Sequence, residues 1–164
     1  MESKNSIIED KYTIKEAKLL AYTFKVKLNH RKKIYREFII SGSSDLVSLA
    51  SVIVENFNFD FDHAYGFYSN LKNNYRSEEK YELFADNPIE FDTDDDTRGV
   101  SDVLIANVFE PKKKMLFLFD YGDNWEFEIE CKKVEDKIVK ESFILIKSNG
   151  IAPEQYPDYD QEEE

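Results

Sequence analysis

The sequence predicts a single α+β domain, in which a mixed but mainly antiparallel sheet of five or six strands packs with two helices. The chain has 164 residues, of which 41% are hydrophobic, and that is enough for one substantial core. Its 13 Phe and 10 Tyr favour sheet, because flat rings pack well on a pleated surface. Residues 21–29 and 125–131 alternate apolar and polar side chains, which is typical of half-buried strands.

The first 40 residues predict a helical turn followed by a β-hairpin. Residues 1–11 are polar and are expected to be a disordered N-terminus, and residues 13–20 are expected to form a short helical turn. The alternating segment 21–29 predicts a strand with one face buried. A turn at residues 29–32 then leads into a second predicted strand over residues 34–40.

An amphipathic helix is predicted over residues 45–56. Its apolar side chains recur at the spacing of one helix face: Leu46, Leu49, Ala50, Ile53 and Phe57. The hydroxyl of Ser43 or Ser44 can accept a hydrogen bond from the free amides of the first turn, and Asp45 suits the positive end of the helix dipole. We expect this helix to pack on the sheet.

The middle of the chain predicts shorter elements. Residues 57–62 are expected to form a loop anchored by aromatic side chains, followed by a third strand over residues 64–71. A short edge strand is predicted at residues 81–85, and an acid-rich loop at residues 86–98. Residues 100–107 predict the second helix, because Ser101 and Asp102 suit its first turn.

The hairpin over residues 115–131 is the clearest element of the chain. Residues 115–121 are apolar on both faces, which predicts a central strand that is covered on both sides. Gly122-Asp123-Asn124 has the residue types of a tight turn. In the returning strand, Trp125, Phe127, Ile129 and Cys131 are expected to face the core, while the intervening glutamates face solvent or a basic partner, including lysines of the same sheet.

The end of the chain predicts a last strand and an acidic tail. The strand is expected at residues 141–147, so that the domain spans residues 12–148, and residues 149–164 are expected to be extended over the surface or disordered. The single cysteine excludes an intrachain disulfide and a Cys-rich zinc site. No signal peptide or membrane-length apolar run is evident, so the expected location is cytoplasmic, without membrane contact.

Charge is unevenly distributed along the chain. The net charge of −12 disfavours nucleic-acid binding, which depends on neutralising phosphates, yet residues 1–40 hold ten Lys and Arg against five Asp and Glu. This asymmetry indicates either attraction between the two parts of one fold or a basic contact surface. The candidate nucleic-acid contacts are Arg31, Lys32, Lys33 and Arg36, beside Tyr35, and their binding would be weak and sensitive to salt.

Three segments resemble the plasmid Ri ORF-three-like family, some members of which are labelled transposon passenger proteins. The hairpin Leu-Phe-Asp-Tyr-Gly-Asp-Asn-Trp-Glu-Phe-Glu-Ile at residues 118–129 is similar to the family signature, and residues 62–67 resemble its His-x-Tyr-x-Phe segment. Residues 150–154 resemble its closing stretch, where Gln155 stands in place of an aspartate. The resemblance covers roughly residues 20–158. It implies an α+β domain of bacteria and archaea, often near mobile elements, with no established reaction.

A candidate pocket follows from the same segments, and its members are His63, Tyr65, Asp120, Asp123 and Trp125. A carboxylate beside an imidazole can orient it, and two carboxylates with an indole can line a ligand site. The structural alternative is that His63 caps its loop, Asp123 shapes the turn and Trp125 fills the core.

The chain lacks a complete set of catalytic motifs. It contains no phosphate-binding loop, GxGxxG, GxSxG or HExxH sequence, and only two histidines, so we expect no cofactor and favour a protein without enzyme activity. The preferred hypothesis is a binding or accessory module for a protein or small-molecule ligand. The alternatives are a metal-dependent phosphoester hydrolase, with Asp60, Asp62 and His63 as weak candidate ligands, and a weak nucleic-acid-binding accessory protein.

Overall fold

A seven-stranded antiparallel sheet organises the fold. The computed structural model describes residues 10–87, 89–91, 93–94 and 96–157. Its helices and strands, in chain order, are α1 (Ile14–Ala17), β1 (Leu20–Leu28), β2 (Arg31–Ser41), α2 (Leu46–Asn56), β3 (Tyr65–Tyr68), β4 (Lys80–Glu82), β5 (Lys114–Phe119), β6 (Trp125–Asp136) and β7 (Ile144–Asn149). The strand order across the sheet is β4-β3-β5-β6-β1-β2-β7.

The predicted α+β class with one sheet is confirmed, but the predicted strand count was too low. All six pairings between neighbouring strands are antiparallel, so within the described residues the sheet is not mixed. The sheet is larger than expected because both β4 and β7 pair with it and form its two edges. In the part of the chain that the structure describes, a parallel arrangement occurs only as an isolated bridge between Tyr81 and Arg98.

The prediction of a helix over residues 100–107 is wrong. Only a 3-10 turn, Ile105–Asn107, forms there, and Asp102 has a positive φ of 63° that interrupts any helix. Instead, the backbone of this segment bonds to the residues that precede α2. The N–H groups of Ile105 and Ala106 donate to the carbonyls of Ser44 and Gly42. The second helix is the single turn α1, whose Thr13 and Glu16 form a reciprocal capping box.

Helix α2 occupies the predicted position, with a different cap. The side chain of Asp45 accepts a hydrogen bond from the N–H of Ser48 at 2.8 Å, so Asp45 takes the capping role that was expected of Ser43 or Ser44. Leu46, Leu49, Ala50 and Ile53 are fully buried against one face of the sheet. The apolar face of α2 thus covers the sheet as its spacing predicts.

Strand β5 is covered on both faces, as predicted. Met115, Phe117 and Phe119 belong to the main core between the sheet and α2. The alternate residues Leu116 and Leu118 pack with Tyr68 in a second, smaller cluster on the opposite face of the sheet. Among the described residues no helix is long and apolar enough to span a membrane.

The face of the sheet opposite α2 carries a row of alternating charges. Across five neighbouring strands the register aligns Lys114, Glu130, Lys25, Glu37 and Lys147, each opposite a residue of the other sign. In the next row, Lys27 Nζ lies 3.9 Å from Glu128 Oε2. Opposite charges at facing positions contribute roughly 0.2–1 kcal/mol each. The basic N-terminal part and the acidic hairpin therefore attract each other within this fold.

Cys131 is expected to be chemically inert in the folded protein. Its side chain is completely buried, and burial, aided by Glu130 and Glu110, raises the pKa of the thiol to about 12. Because the thiolate is the nucleophile, we expect dithionitrobenzoate to label the native protein at least ~100-fold more slowly than the urea-unfolded chain. Labelling that is equally fast in both states would show that this end of β6 opens readily.

Candidate functional site

Asp120 builds the turn that joins β5 to β6. It has a positive φ of 66° and only 5% of its surface is exposed. Its Oδ1 accepts hydrogen bonds from the backbone N–H groups of Gly122 at 3.0 Å and Asp123 at 3.2 Å, and its carbonyl accepts from Asn124 at 2.6 Å. An aspartate tolerates this backbone conformation because its short side chain can bond locally in this way.

The second carboxylate oxygen of Asp120 faces His63. Oδ2 is buried and lies 3.0 Å from His63 Nε2, but this contact is not aligned as a hydrogen bond. The other ring nitrogen, Nδ1, lies 2.8 Å from the carbonyl oxygen of Asp62. Both imidazole nitrogens therefore face oxygen atoms of the protein.

The C-terminal segment closes one side of this cluster. Gln155 is 8% exposed, and its side chain bonds both the N–H and the carbonyl of Asp60, at 2.7 Å and 3.2 Å. Its amide also donates to Asp62 Oδ1 at 3.2 Å. The adjacent Tyr156 hydroxyl donates to Asp62 Oδ2 at 2.8 Å and lies 3.4 Å from His63 Nε2. Sequence reasoning missed Gln155 and Tyr156, although the departure from the family pattern at Gln155 was a signal.

The field at Tyr156 is strongly negative. The hydrogen bond to Asp62 raises the pKa of the phenol to about 12, and the charges of Asp62, Asp120 and Asp123 add to this effect. The hydroxyl bonds to Asp62 directly and lies 3.4 Å from His63 Nε2, which also faces Asp120.

The other predicted pocket residues have different surroundings. Tyr65 is buried beneath Phe61, with ring centroids 5.2 Å apart, and burial raises the pKa of its phenol. Trp125 packs against Phe59 at 4.7 Å and is partly buried. Asp123 is exposed at the turn. The structure therefore brings together His63 and Asp120, with Asp123 nearby, while Tyr65 and Trp125 are part of the packing.

The weak metal candidates are engaged by the C-terminal segment. Asp60 is bonded through its backbone to Gln155, and the two carboxylate oxygens of Asp62 accept from Gln155 and Tyr156. Across the part of the chain that the structure describes, no three His, Cys, Asp or Glu side chains are grouped so that they could hold a metal ion.

The basic patch divides into exposed and buried members. Arg31, Lys32 and Lys33 are exposed at the start of β2. Arg36 is only 5% exposed, so it does not join them on the surface. Strand alternation places it opposite the buried Val26, on the core side of the sheet.

Comparison with known proteins identifies the family. Residues 20–156 match the family described as plasmid pRiA4b ORF-3-like proteins. The chain belongs to this family. The resemblance predicted from the hairpin motif is thereby confirmed, and the match to the plasmid pRiA4b ORF-3-like family extends to Tyr156, so it includes the segment that closes over His63.

A solved structure has a similar fold. It is the crystal structure of a protein of unknown function from Methanosarcina mazei Go1, with a TM-score of 0.63 and 16% sequence identity. The alignment covers 79% of this plasmid pRiA4b ORF-3-like chain and 69% of the other. At this identity the similarity shows a shared fold. No curated protein matches the chain.

Proposed function

We propose that this protein is a binding module without enzyme activity that receives a basic side chain of a protein partner at the hairpin tip. The hairpin-tip site consists of Asp62, His63, Asp120, Asp123 and Tyr156. The observation that carries the proposal is that two carboxylates converge on one imidazole: Asp62 Oδ1 lies 3.4 Å from His63 Nδ1, and Asp120 Oδ2 lies 3.0 Å from His63 Nε2. The hydroxyl of Tyr156 also bonds to Asp62. A site with this surplus of negative charge favours an arginine or lysine.

The buried carboxylate of Asp120 supports a ligand site. Its Oδ2 lies 3.0 Å from His63 Nε2 without an aligned hydrogen bond, whereas buried charged groups normally have such bonds. The residue also lies in the left-handed backbone region, where conformational strain is often associated with function. The exposed ring of Tyr156, whose centroid lies 6.1 Å from that of His63, can stack on a guanidinium group.

The geometry at His63 favours binding over hydrolysis. A general base needs a ring nitrogen directed at the substrate, whereas both nitrogens of His63 face Asp62 and Asp120. Among the described residues, no three His, Cys, Asp or Glu side chains are grouped so that they could hold the metal ion of a phosphoester hydrolase. For nucleic-acid binding, three exposed basic residues on a chain of charge −12 support only weak, salt-sensitive contacts.

A titration with a short arginine-containing peptide tests the proposal. We expect the double substitution Asp62→Asn and Asp123→Asn to weaken peptide binding about tenfold at physiological salt, since each amide keeps the shape but removes a charge. Binding can be followed by NMR shifts of residues in the hairpin tip and by the fluorescence of the single tryptophan, Trp125.

The control is a double variant with the same charge change away from the site, Glu135→Gln and Glu141→Gln, at two exposed positions. This control should bind the peptide as the wild type does. Equal weakening in both double variants would mean that the peptide only senses net charge, and the hairpin-tip site would be rejected.

A further inference from the structure

A second polar cluster lies on the opposite face of the sheet, where Tyr121 follows Asp120 in the chain. The hydroxyl of Tyr68 donates a short hydrogen bond to Glu82 Oε2. The hydroxyls of Tyr68 and Tyr121 are 2.8 Å apart, and Tyr121 also lies 3.4 Å from the same Glu82 oxygen. We call these three side chains the Glu82 cluster.

The protons of the Glu82 cluster all point inward. Burial raises the pKa of both phenols, so each hydroxyl carries its one proton near neutral pH. The proton of Tyr68 is donated to Glu82, and that of Tyr121 is directed at Tyr68 or Glu82. What remains for a ligand is a set of oxygen lone pairs beside a carboxylate, a negative surface that suits a cation.

Gly66 provides the space in which the two hydroxyls meet. It pairs with Leu118 on one side and with Glu82 on the other, in the interior of the sheet. A Cβ atom at this position would lie 2.6 Å from the hydroxyl of Tyr68 and 2.7 Å from that of Tyr121. Glycine inside a strand weakens it and often marks a close approach of other groups. At Gly66, the groups that approach closely are the hydroxyls of Tyr68 and Tyr121.

A cavity of about 280 Å³ opens beside the cluster. Four aromatic side chains line it, together with the carboxylate of Glu82: Tyr68, Tyr75, Phe84 and Tyr121. Lys80 also borders the cavity, but its Nζ is paired with Asp94 Oδ2 at 3.1 Å. No ion pair among the described residues includes Glu82.

We propose that this cavity binds a small organic cation of the methylated ammonium class. The aromatic rings would contact the cationic headgroup through their faces, and Glu82 would balance its charge. The volume is at the small end of ligand sites, so it fits a compact headgroup. This site is separate from the hairpin-tip site, and neither proposal depends on the other.

Choline and its neutral analogue 3,3-dimethylbutanol provide a matched pair of probes. The two have nearly the same shape and differ in charge, so we expect the full-length protein to bind choline at least ~10-fold more tightly. Binding is measured by NMR titration, in which the amides of Gly66 and Tyr121 should shift.

Glu82→Gln keeps an acceptor for Tyr68 and removes the charge, so it should weaken choline binding at least ~10-fold. The exposed-charge control Glu141→Gln should bind choline unchanged. The proposal is overturned if the neutral analogue binds as tightly as choline, if Glu82→Gln has no effect, or if choline shifts no resonance around the cavity.

Discussion

Replacing Asp120 with alanine is expected to lower the free energy of unfolding by about 3 kcal/mol. The substitution removes the acceptor for the N–H groups of Gly122 and Asp123, and hydrogen bonds to a charged group contribute roughly 1.5–3 kcal/mol. Alanine must also adopt the φ of 66°, which costs about 1–2 kcal/mol for a residue without a bonding side chain. Urea unfolding followed by Trp125 fluorescence measures the change.

The variant Asp120→Asn distinguishes two roles of the Asp120 side chain: accepting the hydrogen bonds of the turn and carrying a negative charge. Asparagine keeps an oxygen for the two N–H groups and also tolerates positive φ, so its cost should stay below about 1 kcal/mol. If asparagine is as destabilising as alanine, the charge of the Asp120 carboxylate, which faces His63, contributes more than the turn hydrogen bonds do. That result would contradict the assignment of Asp120 Oδ1 as the main stabilising atom.

Replacing Arg36 with alanine is expected to lower the free energy of unfolding by about 3 kcal/mol. Its guanidinium donates to the carbonyls of Asn56 at 2.9 Å, Tyr35 at 2.9 Å and Asn149 at 3.0 Å, and therefore connects the end of α2 to β2 and β7. It also lies 4.9 Å from the ring of Phe57. These bonds are partly buried, and hydrogen bonds to a charged group contribute roughly 1.5–3 kcal/mol, so their loss together with the packing of the side chain gives the expected cost.

Two further variants test this account of Arg36. Arg36→Lys keeps the charge but cannot reach three carbonyls with a planar fork, so it should cost about half as much. The exposed Arg31→Ala should change stability by less than about 0.5 kcal/mol. Equal effects of Arg31→Ala and Arg36→Ala in urea unfolding would contradict the burial of Arg36 in solution.

Elements with a clear period were predictable from the sequence. Strand β1, helix α2 and the β5–β6 hairpin were predicted because alternation and helical spacing record which side of each element is buried. The segment 100–107 was misjudged because its backbone bonds to residues 42–46, far away in the chain. Residues that suit the first turn of a helix, such as Ser101 and Asp102, say nothing about such a partner.

The candidate site was predicted only in part for the same reason. His63 and Asp120 stand out in the sequence, and the fold places them 3.0 Å apart. Tyr156 joins them from the end of the chain, through contacts that span 93 residues or more. The burial of Arg36 could be anticipated from alternation, yet its three carbonyl partners come from β2, α2 and β7.

By itself, the sequence determined the fold class, the family, the main strands and the turn at residues 122–124, because each depends on short-range patterns of side chains. Only the tertiary structure decided which side chains meet: Gln155 and Tyr156 with Asp62, and Glu82 with Tyr68 and Tyr121. These contacts depend on strand register and on the path of the C-terminal segment. Both are set by packing over the whole chain, and no local period encodes them.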